Sequence, residues 1–222
     1  MERPDTAAER FVIVIGRQYG SGGRRIGKML AESLGVSYYD KSLLSEAAGE
    51  LGFSSEIFAR NDERRPSLLR SLLSFNYGAT TADIEQSTMS DEKIYEFQSR
   101  VIRGICKRES CVIVGRTADY IMRDHPGLVS LFIHAPADIR ALSIIRRGET
   151  DCRSKAIDTA AKNDRARASY YNYYTNRDAW GRADNYHLSF DSSRMTDEAI
   201  VAAVRAILEN RRQPTASDRP IS

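Results

Sequence analysis

Residues 11–35, FVIVIGRQYGSGGRRIGKMLAESLG, constrain the fold of this chain more than any other stretch. An apolar run leads into a turn with glycine at 16, 20, 22 and 23. A helix-period segment follows, with Ile26, Met29, Leu30 and Leu34 on one face and Gly35 as its stop. Strand, glycine turn and amphipathic helix in that order form the first unit of a parallel α/β sheet. Glycines in such a turn let backbone N–H groups face inward around a phosphate, and the helix points its positive end at the same spot.

Three readings of the turn compete. Gly16, Gly20 and Gly22 meet the dinucleotide pattern G-x-x-x-G-x-G, and Asp40 stands where a ribose-binding acid would end the second strand. The Tyr-x-x-x-Lys pair of such reductases is missing, and the alternative G-x-G-x-x-G meets Arg25 at its third glycine. A turn that binds nothing is the second reading. The third is a phosphate loop over Gly20, Ser21, Gly22 and Gly23, altered from the usual G-x-x-x-x-G-K-[ST], since Gly23 and Arg24 follow Gly22. Arg24 or Arg25 can offset the lysine, because guanidinium is a permanently charged, bidentate phosphate partner. Ser21 is the nearest hydroxyl for a metal, which nucleotide oxygens and water could otherwise hold.

A chain of 222 residues, 41% hydrophobic, suffices for one well-buried α/β core and falls short of two ordinary domains. A net charge of +3 suits an anionic small molecule without calling for nucleic acid. Cys106, Cys111 and Cys152 form no C-x-x-C pair, so a reducing cytoplasm fits better than a disulfide scaffold or a zinc site. The apolar run at 11–15 is too short for a membrane span.

Further strands are expected at 36–39, 111–114, 129–134 and 186–190, alternating with helices in the manner of a sheet covered on both faces. One helix would bury Ile94, Phe97, Val101, Ile102 and Ile105. Another, capped by Thr196 with Asp197 and Glu198 in its first turn, would bury Ile200, Val204, Ile207 and Leu208. Residues 41–91 and 141–184 break the alternation, and insertions at this edge of a parallel sheet form pockets and lids. Within one domain at 11–209, they are read as an acceptor-binding insertion and a lid. Residues 1–10 and 210–222 are read as flexible tails.

RQYGSGGRRIGKMLAESLGVSYYDK, CVIVGRTADYI and LFIHAPADIRALSIIRR, in that order, resemble the cytidylate kinase-like proteins among P-loop nucleoside monophosphate kinases. The resemblance implies a three-layer α/β/α fold of the P-loop NTPase type, with a five-stranded parallel sheet in the order 2-3-1-4-5, an acceptor insertion and an arginine-rich lid. It implies ATP and Mg²⁺ as cofactors, small nucleotides as partners, and phosphoryl transfer to a monophosphate, with CMP or dCMP first to try. Another small-molecule acceptor, or a nucleotide-binding regulatory protein without turnover, stays open. The chain departs from ordinary cytidylate kinases at Gly23-Arg24, where they carry Gly-Lys, and at Gly115-Arg116-Thr117, where they carry Gly-Arg-Asp.

Arg116, just past a buried strand, would clamp the acceptor phosphate as its family counterpart does, or else snorkel from the strand end. Asp40 would orient the acceptor, hold metal through water, or cap the next helix. Gln98, Arg100 and Arg103 lie in the neighbourhood that faces the acceptor in the resembled family, although Gln98 and Arg103 fall off the apolar stripe. Asp164, Arg165 and Arg167 match the lid motif, which makes Arg165 and Arg167, with Arg24, candidate catalytic cations. Tyr170 to Thr175, YYNYYT, would pack a lid helix more readily than stack on RNA. His187 reads as structural and Trp180 as an anchor.

Overall fold

The computed structural model describes residues 10–40, 43 and 91–210. The expected tails and nearly all of the 41–91 insertion lie outside these residues. The described strands are β1 (Val12–Arg17), β2 (Ser37–Tyr39), β3 (Cys111–Val114), β4 (Leu128–His134) and β5 (Leu188–Asp191). They form one parallel sheet in the order β2-β3-β1-β4-β5. The helices, in chain order, are α1 (Gly23–Leu34), α2 (Asp91–Arg108), α3 (Ala118–Ile121), α4 (Ala137–Arg146), α5 (Arg153–Thr175) and α6 (Asp197–Asn210).

Strand periodicity decides the layers. Val12 and Val14 of β1 face one way, onto Phe97, Val101, Ile102 and Ile105 of α2. Ile13 and Ile15 face the other way, onto Ile26 and Leu30 of α1 and Ile200 and Val204 of α6. Both faces of the central strand are therefore dry, and its sequence is apolar throughout. Gly35 closes α1 in the left-handed conformation at φ 65°, its N–H directed to the carbonyls of Ala31 and Glu32. Thr196 caps α6, accepting the N–H of Ala199 at 3.2 Å.

Two expectations shift. Ile207 is 37% exposed, because the buried stripe of α6 runs through Ile200, Val201 and Val204 instead. The last strand starts at Leu188. Just before it, the N–H of Ser130 donates to His187 Nδ1 at 3.0 Å, and the N–H of His187 donates to Ser130 Oγ at 3.1 Å. Side chains complete the β4–β5 contact where a ladder bond would otherwise stand. Helices α4 and α5 form a hairpin with its own small core of Ala141, Ile144, Ala156 and Ala160, and Tyr19 of the glycine turn packs against it.

Candidate active site

The glycine turn lies beyond the C-terminal end of β1, the middle strand, where a parallel sheet of this order opens its ligand crevice. Gly20 and Gly22 have φ of 83° and 82°, which a side chain would strain. Gly20 also has no room: a Cβ there would lie 2.7 Å from the carbonyl oxygen of Arg140. Ser21 is buried beneath the turn, its Oγ 2.9 Å from the carbonyl of Gln18 and 3.0 Å from that of Ile133. The candidate metal ligand thus faces inward, holding the turn to β4. From the far side, Ser192 Oγ donates to the carbonyl of Ser21 at 2.8 Å.

Asp164 is the main tie between turn and hairpin. It accepts the backbone N–H of Tyr19 at 2.7 Å and Arg140 Nη1 at 2.6 Å, and lies 3.6 Å from Arg167. Burial pushes its carboxyl above the ordinary carboxylate range, against the pull of those partners. Arg140 is itself buried and donates to the carbonyls of Ala135 and Tyr19.

Four guanidinium groups act on one another at the mouth of this crevice. Arg17 ends β1. Burial lowers its pKa well below the ordinary arginine value, and Arg167, Arg24 and Arg116 add to that effect. Burial also lowers Arg116, although Tyr170 hydrogen-bonds to it and opposes the shift. Arg167 falls to about 10, burial again leading. Its Nη1 donates to the carbonyl of Arg17 at 3.1 Å, and its guanidinium lies 5.1 Å from the Tyr19 ring centroid. Mutual repulsion of this kind marks a place built for an anion.

The candidate residues divide. Arg24, Arg116 and Arg167 share the cluster. Arg24 is 55% exposed and stands 3.9 Å from Asp40. Asp40 Oδ1 also accepts the N–H of Leu43 at 3.4 Å, the geometry of the capping alternative. Arg25 turns away from the crevice to a two-point pair with Asp197 at the start of α6, 2.9 Å at Nη2. Arg165 and Arg103 are exposed on α5 and α2. Gln98 is linked to the cluster through Tyr170, whose hydroxyl donates to Gln98 Oε1 at 3.2 Å and bonds Arg116. The tyrosine run packs α5 onto its neighbours: Tyr171 donates to Asp119 at 2.6 Å, and Tyr174 stacks on Tyr95 at 4.1 Å.

Arg17 was not among the sequence candidates. Its signal was a basic residue five positions before Gly22, where the phosphate-loop pattern asks for its first glycine. The turn after β3 carries a second signal that only backbone geometry gives. Gly115, Arg116 and Thr117 have φ of 83°, 65° and 52°, three left-handed residues in succession. Two of them bear side chains that this conformation disfavours, a strain that collects where a site needs a group aimed. Beside the glycine turn, a cavity of about 370 Å³ is lined by Gln18, Phe132, His134, Trp180 and Ser189. Trp180 meets Phe132 edge-on at 5.3 Å.

A five-stranded parallel sheet in this order, with a glycine loop leading into α1, defines the P-loop kinase class of α/β fold. The chain belongs to the cytidylate kinase-like family, whose model matches residues 12–194. It is 24% identical over 191 residues to a cytidylate kinase of Methanosarcina barkeri, covering 86% of this chain and 92% of that one. Among solved structures it is similar to an uncharacterized protein from Eubacterium ventriosum, with TM-score 0.68, 24% identity and coverage of 91% and 100% of the two chains. It also shares its fold with a shikimate kinase from Bacteroides thetaiotaomicron, at TM-score 0.52, 14% identity and coverage of 90% and 98%.

Proposed function

We propose that this protein transfers the γ-phosphoryl group of ATP to a nucleoside monophosphate, with CMP or dCMP as the acceptor. The observation that carries the reading is the convergence of Arg24, Arg116 and Arg167 on the crevice between the glycine loop and the end of β3. Family membership and the similarity to a protein named cytidylate kinase support the acceptor class.

The donor's phosphates fit the loop. Backbone N–H groups at Gly22, Gly23 and the first turn of α1 would face them, and Gly20 and Gly22 take the left-handed conformation such a loop needs. Mg²⁺ would supply positive charge to neutralise the donor phosphates. Nucleotide oxygens and water would carry its coordination.

In the reaction a phosphate oxygen of the acceptor attacks the γ-phosphorus, and the bond to the β–γ bridging oxygen breaks. ADP leaves with that electron pair. The nucleophile is already an anion at pH 7, so no general base is needed. Arg116, held by Tyr170, clamps the acceptor phosphate. Arg167 sits where charge builds in transfer, and Arg24 and Arg165, both exposed, close on the phosphates when the α4–α5 hairpin covers them. Water excluded by that closure cannot take the phosphoryl group. Among the described residues no helix is long and apolar enough to cross a membrane.

A second reading keeps the donor and changes the acceptor, since this fold serves unrelated acceptors through its insertions. Incubation with MgATP and CMP, dCMP, UMP, AMP or GMP, beside a no-acceptor control, decides between them. A diphosphate from CMP or dCMP is expected. ATP binding without any nucleotide product would sink the monophosphate reading.

A further inference from the structure

The loop lacks its lysine, yet a cation from the end of β1 lies against it. Gly22 caps α1, and counted back from it, one position earlier than the Gly23-Arg24 match to Gly-Lys, the pattern G-x-x-x-x-G-K-[ST] puts Arg17 at the first glycine and Gly23 at the lysine. The small and the basic residue have changed places. The structure makes this exchange spatial as well. A Cβ built on Gly23 would lie 2.7 Å from Arg17 Cβ and 3.0 Å from its Cγ, so the arginine stem fills the room that a side chain at 23 would need. A Cβ on Gly115 would lie 2.0 Å from Arg17 Nη1 and 3.0 Å from Cζ, so the guanidinium rests on Gly115 at the end of β3.

Both glycines therefore belong to the arginine. Gly23 admits its stem and Gly115 seats its head, between the loop and Arg116. Among the described residues no carboxylate pairs with Arg17, and the charges that reach it are mainly the other three guanidinium groups. A half-buried arginine whose charged neighbours among the described residues are mainly cations is costly to the fold unless an anion completes the site.

We propose that Arg17 is the loop's phosphate-binding cation, entering from the end of β1 to contact the β- and γ-phosphates of ATP in place of the absent lysine. This rests on the reading of the site as a kinase. Arg24, which sequence alone offered for that place, is left to the rim beside Asp40.

The test compares the full chain with Arg17→Met, Arg17→Lys and the double exchange Arg17→Gly/Gly23→Lys. ATP, ADP and AMP binding is measured by calorimetry, turnover by product formation, and thermal midpoint without nucleotide. Arg17→Met should keep the fold with a midpoint equal to or above wild type, because the repulsion from the other three guanidinium groups is removed. It should bind ATP and ADP about 10- to 100-fold more weakly, leave AMP affinity unchanged, and lose about 10²- to 10³-fold in turnover. Arg17→Lys should retain part of the affinity, and the double exchange should recover most of it.

Wild-type affinity for ATP in Arg17→Met would overturn the proposal while leaving the kinase reading intact. So would a folded double-exchange variant that binds ATP no better than Arg17→Met. Wild-type protein that binds no ATP at all would remove the kinase reading itself, and this proposal with it.

Discussion

Asp164 Oδ1 accepts the backbone N–H of Tyr19 at 2.7 Å, so the middle of α5 is tied to the phosphate loop across 145 residues of sequence. The same carboxylate neutralises Arg140 at 2.6 Å, on the helix whose backbone walls in Gly20. One acid thus holds the shape of the loop and the attachment of the hairpin together. A hairpin hinged on the loop is well placed to feel what the loop binds.

Asp164→Ala should therefore act on stability first. It leaves Arg140, whose side chain is 11% exposed, as a buried cation with only carbonyl partners. The expected loss is about 3 kcal/mol, or about 6–12 °C in thermal midpoint for a domain of this size. Urea unfolding followed by circular dichroism gives the figure, and a change below about 1 kcal/mol would mean the pair is solvated in practice.

Gly20→Ala tests how tightly the loop is packed from behind. The left-handed backbone costs a side chain about 1–2 kcal/mol, and the new methyl meets a main-chain carbonyl that cannot swing away. Loss of nucleotide affinity along with stability is expected, since relief requires the loop to move off α4. A variant with wild-type unfolding midpoint would contradict the contact.

Arg25 offers a contrast. Its side chain is 68% exposed and its pair with Asp197 joins α1 to α6 on the surface. Arg25→Ala should cost no more than about 1 kcal/mol, and the difference from wild type should vanish as salt approaches about 1 M. A loss of several kcal/mol that persists in salt would show the pair to be shielded.

Trp180 is the sole tryptophan of the chain and lines the cavity beside Gln18. We place the base of ATP in that cavity on its position beside the glycine turn, so titration with ATP should change the indole's fluorescence saturably. Emission that ignores ATP while calorimetry records binding would put the base elsewhere.

The strands were readable in the sequence to within a few residues. Central parallel strands bury both faces, so FVIVI and CVIV carry no polar interruption that could be mistaken for anything else. The final strand was harder, because His187 and Ser130 bond side chain to backbone just where the ladder would start. Ile207 was misplaced because α6 buries the stripe through Val201, and the tilt of a helix on a sheet is not written in its own periodicity. The expected acceptor insertion at 41–91 and the expected tails lie almost wholly outside the described residues.

Local chemistry along the chain determined the parallel α/β class, the glycine loop and its helix, and the presence of arginines suited to phosphate. Those follow from periodicity and backbone freedom, which act over a few neighbouring residues. Which arginine enters the crevice was decided only in three dimensions. Arg25 is drawn off by Asp197, 172 residues further along the chain, and Arg17 is admitted by Gly23 and seated on Gly115. A long cationic side chain goes where room and counter-charge are found, and both are properties of packed neighbours that its own sequence surroundings do not contain.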